Sequence, residues 1–224
     1  VILVHGLARS SRSLAAIGAI LEGQGDLHAA IDALERARSI DPEEVPASTI
    51  ARVRSRVVMA EMPPQYRAIP AAQAATRADV AAIIGVQLAA LVARAQPRQL
   101  IITDVRGHWA LPWISPVVRS GIMDTLPNYE FQPADRVRRG DLALVVSRVL
   151  TLIAAEKPEL AERWRGGRVT VSDVFPGHLS YPAVSVAVAS GVMPLINGSF
   201  ALLSDVTGSE AFAVIGRLEA LAQP

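Results

Sequence analysis

Residues 104–123 read DVRGHWALPWISPVVRSGIM, and residues 173–193 read DVFPGHLSYPAVSVAVASGVM. Asp104-Val105 recurs as Asp173-Val174, His108 as His178, and Pro112 as Pro182. Ser115 recurs as Ser185, Ser120-Gly121 as Ser190-Gly191, and Met123 as Met193, at an offset of about 70 residues. A repeat of this kind decides the architecture before any local pattern does. Each copy is one unit that buries its apolar face against its neighbours. The chain is therefore expected to stack or close copies of one unit, an organisation seldom used by enzymes.

Downstream of each copy the pattern continues in step. Trp109 to Gly121 predicts a helix with Gly121 as its C-terminal stop. A loop ending in Phe131-Gln132-Pro133 follows, and then a second helix over Val137–Ala154. Leu142, Val145, Val146, Val149, Leu150 and Ile153 lie on one face of it. In the later copy the helices are Tyr181–Gly191 and Thr207–Leu221, with Val214, Ile215, Leu218 and Leu221 expected in the core. Glu156–Arg168 between the copies reads as a charged, exposed connection. Upstream, Thr76–Ala95 predicts an amphipathic helix through Val80, Ile83, Ile84, Leu88 and Leu91.

The N-terminal part follows a different plan. Ser11–Asp41 reads as two helices broken at Gly23-Gln24-Gly25-Asp26, with Asp26 as N-cap of the second and Asp41-Pro42 as its stop. With Ser11 taken as the first residue, Gly18, Ala30, Ala37 and Pro42 fall where a tetratricopeptide repeat places its small residues and its proline. The hairpin resembles that family. The bland alternative is an ordinary helical hairpin. Ile50–Met59 predicts a further helix, followed by the proline-rich loop at Met62-Pro63-Pro64.

The repeated unit resembles the S-layer homology (SLH) domain. The resemblance rests on Asp104-Val105, His108-Trp109-Ala110, Gly121-Ile122, Phe131-Gln132-Pro133 and Arg138-Arg139-Gly140-Asp141. Residues 171–222 match more loosely, with Leu179 in place of the tryptophan and Gly208 in place of the box arginine. A degenerate first copy carries the box Thr76-Arg77-Ala78-Asp79 and Ile69-Pro70 in place of Phe-x-Pro. The resemblance implies three units closing about a pseudo-threefold axis, with grooves that bind anionic, often pyruvylated, cell-wall polysaccharide. It places Arg77 and Arg139 in binding roles, with Asp104 and Trp109 as further candidate contacts. The box has its own rationale. Thr76 with Asp79, and Thr207 with Glu210, read as capping boxes, and an arginine beside free helix N–H groups suits an anion. The alternative is that these arginines merely decorate helix starts. Trp109 and Trp113 are expected as core anchors four apart on a helix, or Trp109 as a stacking platform for a sugar.

Composition narrows the function further. The net charge of +1, with scattered arginines, gives no footprint for nucleic acid. There is no cysteine, so disulfides and thiol chemistry are excluded, and only 4% of residues are aromatic, so the core must be aliphatic. The apolar run Val80–Ala93 is too short to span a bilayer, which needs about 20 residues. His5, His28, His108 and His178 show no metal-ligand spacing. His108 and His178 are expected to share a structural task, such as bonding a local carbonyl. The opening VILVHGL resembles the strand and oxyanion turn of α/β-hydrolases, but G-x-S-x-G is absent. The chain starts at Val1 and is expected to be a fragment or a processed form.

Taken together, the expectation is a mostly α protein. Its parts are an unassigned start at 1–10, a tetratricopeptide-like hairpin at 11–44, and SLH-like units at 45–95, 96–155 and 165–224. The expected function is non-enzymatic, noncovalent attachment to cell-wall polysaccharide or a peptidoglycan-associated polymer. It would act at a bacterial cell envelope or surface after export, with no cofactor or metal. The competing expectation is a protein-interaction scaffold that binds a protein partner through the hairpin, with the SLH-like units as support.

Overall fold

The computed structural model describes residues 10–166 and 169–223. The hydrolase-like VILVHGL lies outside them. Eleven α-helices, one 3-10 turn and three isolated β-bridges make up the described residues, so the fold is mostly α. Contacts divide the chain into two compact units, Val1–Arg67 and Ala68–Pro224.

The first unit contains α1 (Ser11–Gln24), α2 (Leu27–Ile40) and α3 (Ala47–Glu61). Gly25, at φ 83°, ends α1, and the Asp26 carboxylate caps α2 by accepting from Ala29 N–H at 3.2 Å. The small residues let the helices close up: a Cβ on Gly18 would stand 2.7 Å from Leu34 Cγ. Val45, Ile50 and Val53 share one core with Ala30, Leu34 and Ala37. Residues 45–61 thus pack with the hairpin and belong to the first unit. A third helix covers the apolar face that a lone hairpin leaves open. Charge pairs reinforce the packing, with Arg52 and Arg56 both on Glu22 and Arg54 on Glu35.

A short helix, α4 (Pro64–Ala68), and a 3-10 turn (Ile69–Ala71) lead into the second unit. Its helices are α5 (Arg77–Gln87), α6 (Ala89–Arg94), α7 (Leu111–Arg119), α8 (Arg139–Glu156), α9 (Pro158–Gly166), α10 (Tyr181–Ala189) and α11 (Gly208–Ala222). The expected Thr76–Ala95 helix breaks at Leu88, whose ψ of 23° leaves the helical range. The expected exposed connection at 156–168 contains α9 instead; the part at residues 167–168 lies outside the described residues. Ala161 and Trp164 of α9 are buried, and α9 packs on α8 and α10. Helix α7 begins at Leu111, so Trp109 sits in the turn before it. Gly121 and Gly191 follow α7 and α10, each at φ 75°, the left-handed geometry that ends a helix.

The expected faces of α5, α8 and α11 are buried, apart from Leu221, which is only partly so. Helix α5 packs on α7, α8 on α10, and α11 on both α5 and α8. Just before α5, α8 and α11, three buried residues exchange backbone hydrogen bonds in a ring. Ala75 N–H donates to Val206 C=O (2.7 Å), Val206 N–H to Val137 C=O (2.9 Å), and Val137 N–H to Ala75 C=O (2.9 Å). Each helix start is therefore fixed against the other two. The ring also satisfies backbone groups that would be costly to bury unpaired.

Candidate functional site

The repeated residues build the same joint twice. Asp104 accepts from the N–H groups of Phe131 and Gln132, both at 2.7 Å. Asp173 accepts from Phe200 and Ala201, also at 2.7 Å. Gln132 and Ala201 have φ of 55° and 58°, and this left-handed turn aims two successive N–H groups at one carboxylate. The buried Phe131 and Phe200 present their carbonyls to the preceding unit. Arg77 Nε donates to Phe131 O and Arg139 Nε to Phe200 O, each at 2.7 Å. Each guanidinium also lies over the phenyl ring of the same residue, 4.7 Å and 4.9 Å from its centroid. One phenylalanine is thus held from both sides, by the aspartate of its own unit and the arginine of the unit before.

This geometry changes the expected roles. Arg139 is only 2% exposed. Its remaining donors go to Pro194 O at 2.9 Å and to the Glu210 carboxylate. Arg77 is half-buried and also donates to Asp124 O at 2.6 Å. Burial lowers the pKa of both arginines. For Arg77 the nearby Asp135, Asp141, Asp124 and Asp104 oppose that shift, and for Arg139 Asp173 does. Nor are the helix starts free to meet an anion. Arg77 N–H and Ala78 N–H donate to Asp135 O and Pro133 O, and Arg139 N–H and Gly140 N–H to Ser204 O and Leu202 O. Both arginines face a neighbouring loop, whose carbonyls occupy the N–H groups that sequence reasoning left open.

The third joint is made differently. Gly208 stands where Arg77 and Arg139 stand, and Ile69 stands where the phenylalanines do. A Cβ on Gly208 would lie 1.6 Å from Ile69 O. The helix start presses directly on the carbonyl, and Gly208 N–H donates to Ala72 O at 2.9 Å. The loss of the arginine is a close backbone approach that only glycine permits.

The capping boxes are unequal. Around α5 the box is complete: Thr76 Oγ1 accepts from Asp79 N–H at 3.2 Å, and Asp79 accepts from Thr76 N–H at 2.8 Å. Before α8, Asp141 accepts from Arg138 N–H at 3.0 Å, and the arginine side chain offers no acceptor in return. Before α11, Thr207 accepts from Glu210 N–H at 3.1 Å, while the Glu210 carboxylate is drawn to Arg139 rather than back to Thr207.

His108 and His178 do share a task, but as acceptors. Their Nδ1 atoms accept from Ala110 N–H (3.2 Å) and Ser180 N–H (3.1 Å), which fixes the turn before α7 and α10. Trp109 meets the rings of His108 and Trp113. Trp113 packs on α5, where a Cβ on Gly85 would clash with it at 2.6 Å.

Beside the Arg139 joint lies an open groove of about 1080 Å³. It is lined by Asp135, Arg136, Arg138, Asp141 and Leu144 and by Asp173, His178, Ser180 and residues 201–205. Arg136 is paired with Asp205 at 3.2 Å. The exposed Arg138 guanidinium makes no hydrogen bond or ion pair among the described residues. Of the four expected site residues, Arg77, Arg139 and Asp104 belong to the joints, and Trp109 does not line this groove. Sequence reasoning missed Arg138, although an arginine at an N-cap position, where it cannot cap, was a usable signal.

No group of three or more His, Asp or Glu residues placed to hold a metal ion occurs among the described residues, and no helix there is long and apolar enough to cross a membrane. No curated protein and no solved structure matches the chain. Residues 101–143 match the S-layer homology domain. The match spans Asp104, the buried Phe131 and the start of α8, one half of each arginine joint. It indicates a non-catalytic anchoring module associated with the cell surface or envelope.

Proposed function

We propose that residues 68–223 hold this chain noncovalently to an anionic cell-wall polysaccharide after export, through three unequal SLH-like units about a pseudo-threefold axis. The ring through Ala75, Val137 and Val206 supports the threefold reading. The observation that carries the binding role is the groove beside α8, which holds an unpartnered guanidinium, Arg138, within the family-matched segment. Arg139 serves the groove by building it. Arg139 holds the loop from Pro194 to Phe200, and that loop leads into the wall at 201–205. Arg138 supplies the charge that meets the polymer.

The test is cosedimentation with purified Gram-positive sacculi carrying pyruvylated polysaccharide. The wild type is expected to sediment, and Arg138→Gln to bind several-fold more weakly with a shallower salt dependence and an unchanged melting temperature. A wild type that stays in the supernatant refutes the anchor; an Arg138→Gln that binds normally refutes the role of Arg138. A second reading has the tetratricopeptide-like hairpin dock a partner protein. The exposed Ile17 and Ile20 on α1 favour it. Capture of a partner by residues 10–61, without loss on replacing Arg138, would support that reading.

A further inference from the structure

We propose that Phe175, braced by the groove-lining His178, is a stacking platform for a pyranose ring. This inference rests on the polymer being a polysaccharide. Phe175 is 65% exposed, in a chain whose other three phenylalanines are buried or half-buried. Its ring lies over the backbone, and a Cβ on Gly177 would come within 3.2 Å of its Cε2 atom, so Gly177 gives the ring its seat. The ring meets His178 edge-on, with centroids 5.8 Å apart and planes at 87°. His178 is itself fixed through Nδ1 by Ser180 N–H, and both His178 and Ser180 line the groove. The ring is therefore exposed and held in place.

The two copies differ at this turn. Asp104 and His108 are separated by Val105-Arg106-Gly107, whereas Asp173 and His178 are separated by Val174-Phe175-Pro176-Gly177. The longer turn carries its aromatic before the histidine. The place of Trp109 is taken by Leu179, which is 94% exposed. A flat aromatic face against His178, which lines the groove together with Arg138, Ser180 and Ser204, suits a sugar. The ring takes the apolar C–H face, and the polar side chains take hydroxyls and an anionic substituent. A purely apolar partner would leave those polar groups unpaired.

The sacculus assay tests this with Phe175→Ala, Phe175→Trp and Arg138→Gln, each checked for an unchanged melting temperature. Phe175→Ala should bind about tenfold more weakly at every salt concentration, the scale of one aromatic contact. Phe175→Trp should bind as tightly as the wild type or more so. Arg138→Gln should instead change the salt slope. Normal binding by Phe175→Ala overturns the platform while leaving the anchor standing. Equal weakening by Phe175→Trp also overturns it. A wild type that fails to sediment overturns both proposals.

Discussion

Gly208→Ala adds one methyl group and is expected to be the most damaging single-carbon change in α11. The new Cβ would sit 1.6 Å from Ile69 O and 2.7 Å from Ile69 C, both backbone atoms that cannot rotate away. Restoring an ordinary contact of 3.4 Å requires the seam to open by 3.4 − 1.6 = 1.8 Å. That movement breaks Gly208 N–H to Ala72 O and pulls on Ala75 N–H to Val206 O. Two weakened backbone bonds with buried, unpaired groups cost about 1–3 kcal/mol each. Alanine's better helix propensity returns at most about 1 kcal/mol. The net loss is about 3 kcal/mol, which lowers Tm by roughly 6–12 °C in a domain of this size. Gly216→Ala in the same helix is the control, because nothing lies within 4 Å of its added Cβ. Thermal unfolding followed by circular dichroism should leave Gly216→Ala at or slightly above the wild-type midpoint. If Gly208→Ala melts with Gly216→Ala, the third joint is not the close backbone contact described above.

The arginine joints lead to different expectations. Arg139→Ala should cost about 3–5 kcal/mol, because it strands the Glu210 carboxylate and the carbonyls of Phe200 and Pro194. Arg139→Lys should recover little of this in urea titration, since one ammonium cannot replace a fork that serves three acceptors and stacks on Phe200. At Asp173, burial acts to raise the carboxyl pKa, but hydrogen bonds from Phe200 N–H, the Ser199 side chain and Ala201 N–H outweigh it and hold the group below the usual range. The stability it contributes is therefore present above the unfolded carboxylate value of about 3.9 and is lost as pH falls through the lower folded value. Asp173→Asn should lower stability at pH 7 by about 1–2 kcal/mol, modest because the carboxylate is exposed. The wild-type excess over Asp173→Asn should shrink toward pH 2; an excess constant from pH 7 to 2 would remove the charge from the explanation.

The helices were legible because their signals are local. Asp26, Thr76 and Thr207 cap as their positions predict, and the period of Leu142 to Ile153 names a buried face without reference to any partner. The site was less legible because its chemistry is spread across about 55–70 residues of sequence. Arg77 as a residue at a helix start suggests a cation aimed at solvent. What it meets, the carbonyls of Phe131 and Asp124, depends on how one unit seats on the next. The same holds for Gly208, which looks like a lost ligand contact and is a steric requirement set by Ile69. Asp104 is legible as a repeated residue, but its bonds to Phe131 N–H and Gln132 N–H depend on how its own loop folds back.

The division of labour between adjacent residues at the start of α8 follows from these constraints. An arginine at the first helical position turns inward, because the next unit's loop offers it a carbonyl and a ring. The position before it is usually a capping residue, as Thr76 and Thr207 are. Before α8, as before α5, loop carbonyls take the first two helical N–H groups and the third-position aspartate takes the N–H of the cap residue, but the cap residue itself is an arginine with no acceptor to offer. With no cap to provide, Arg138 can extend into the groove with its charge unmatched. The complete box at Thr76 and the sealed seam at Gly208 leave no such arginine at the other two cap positions. Polymer recognition would therefore concentrate at the one joint whose cap residue is an arginine, since Thr76 and Thr207 hold the other two cap positions.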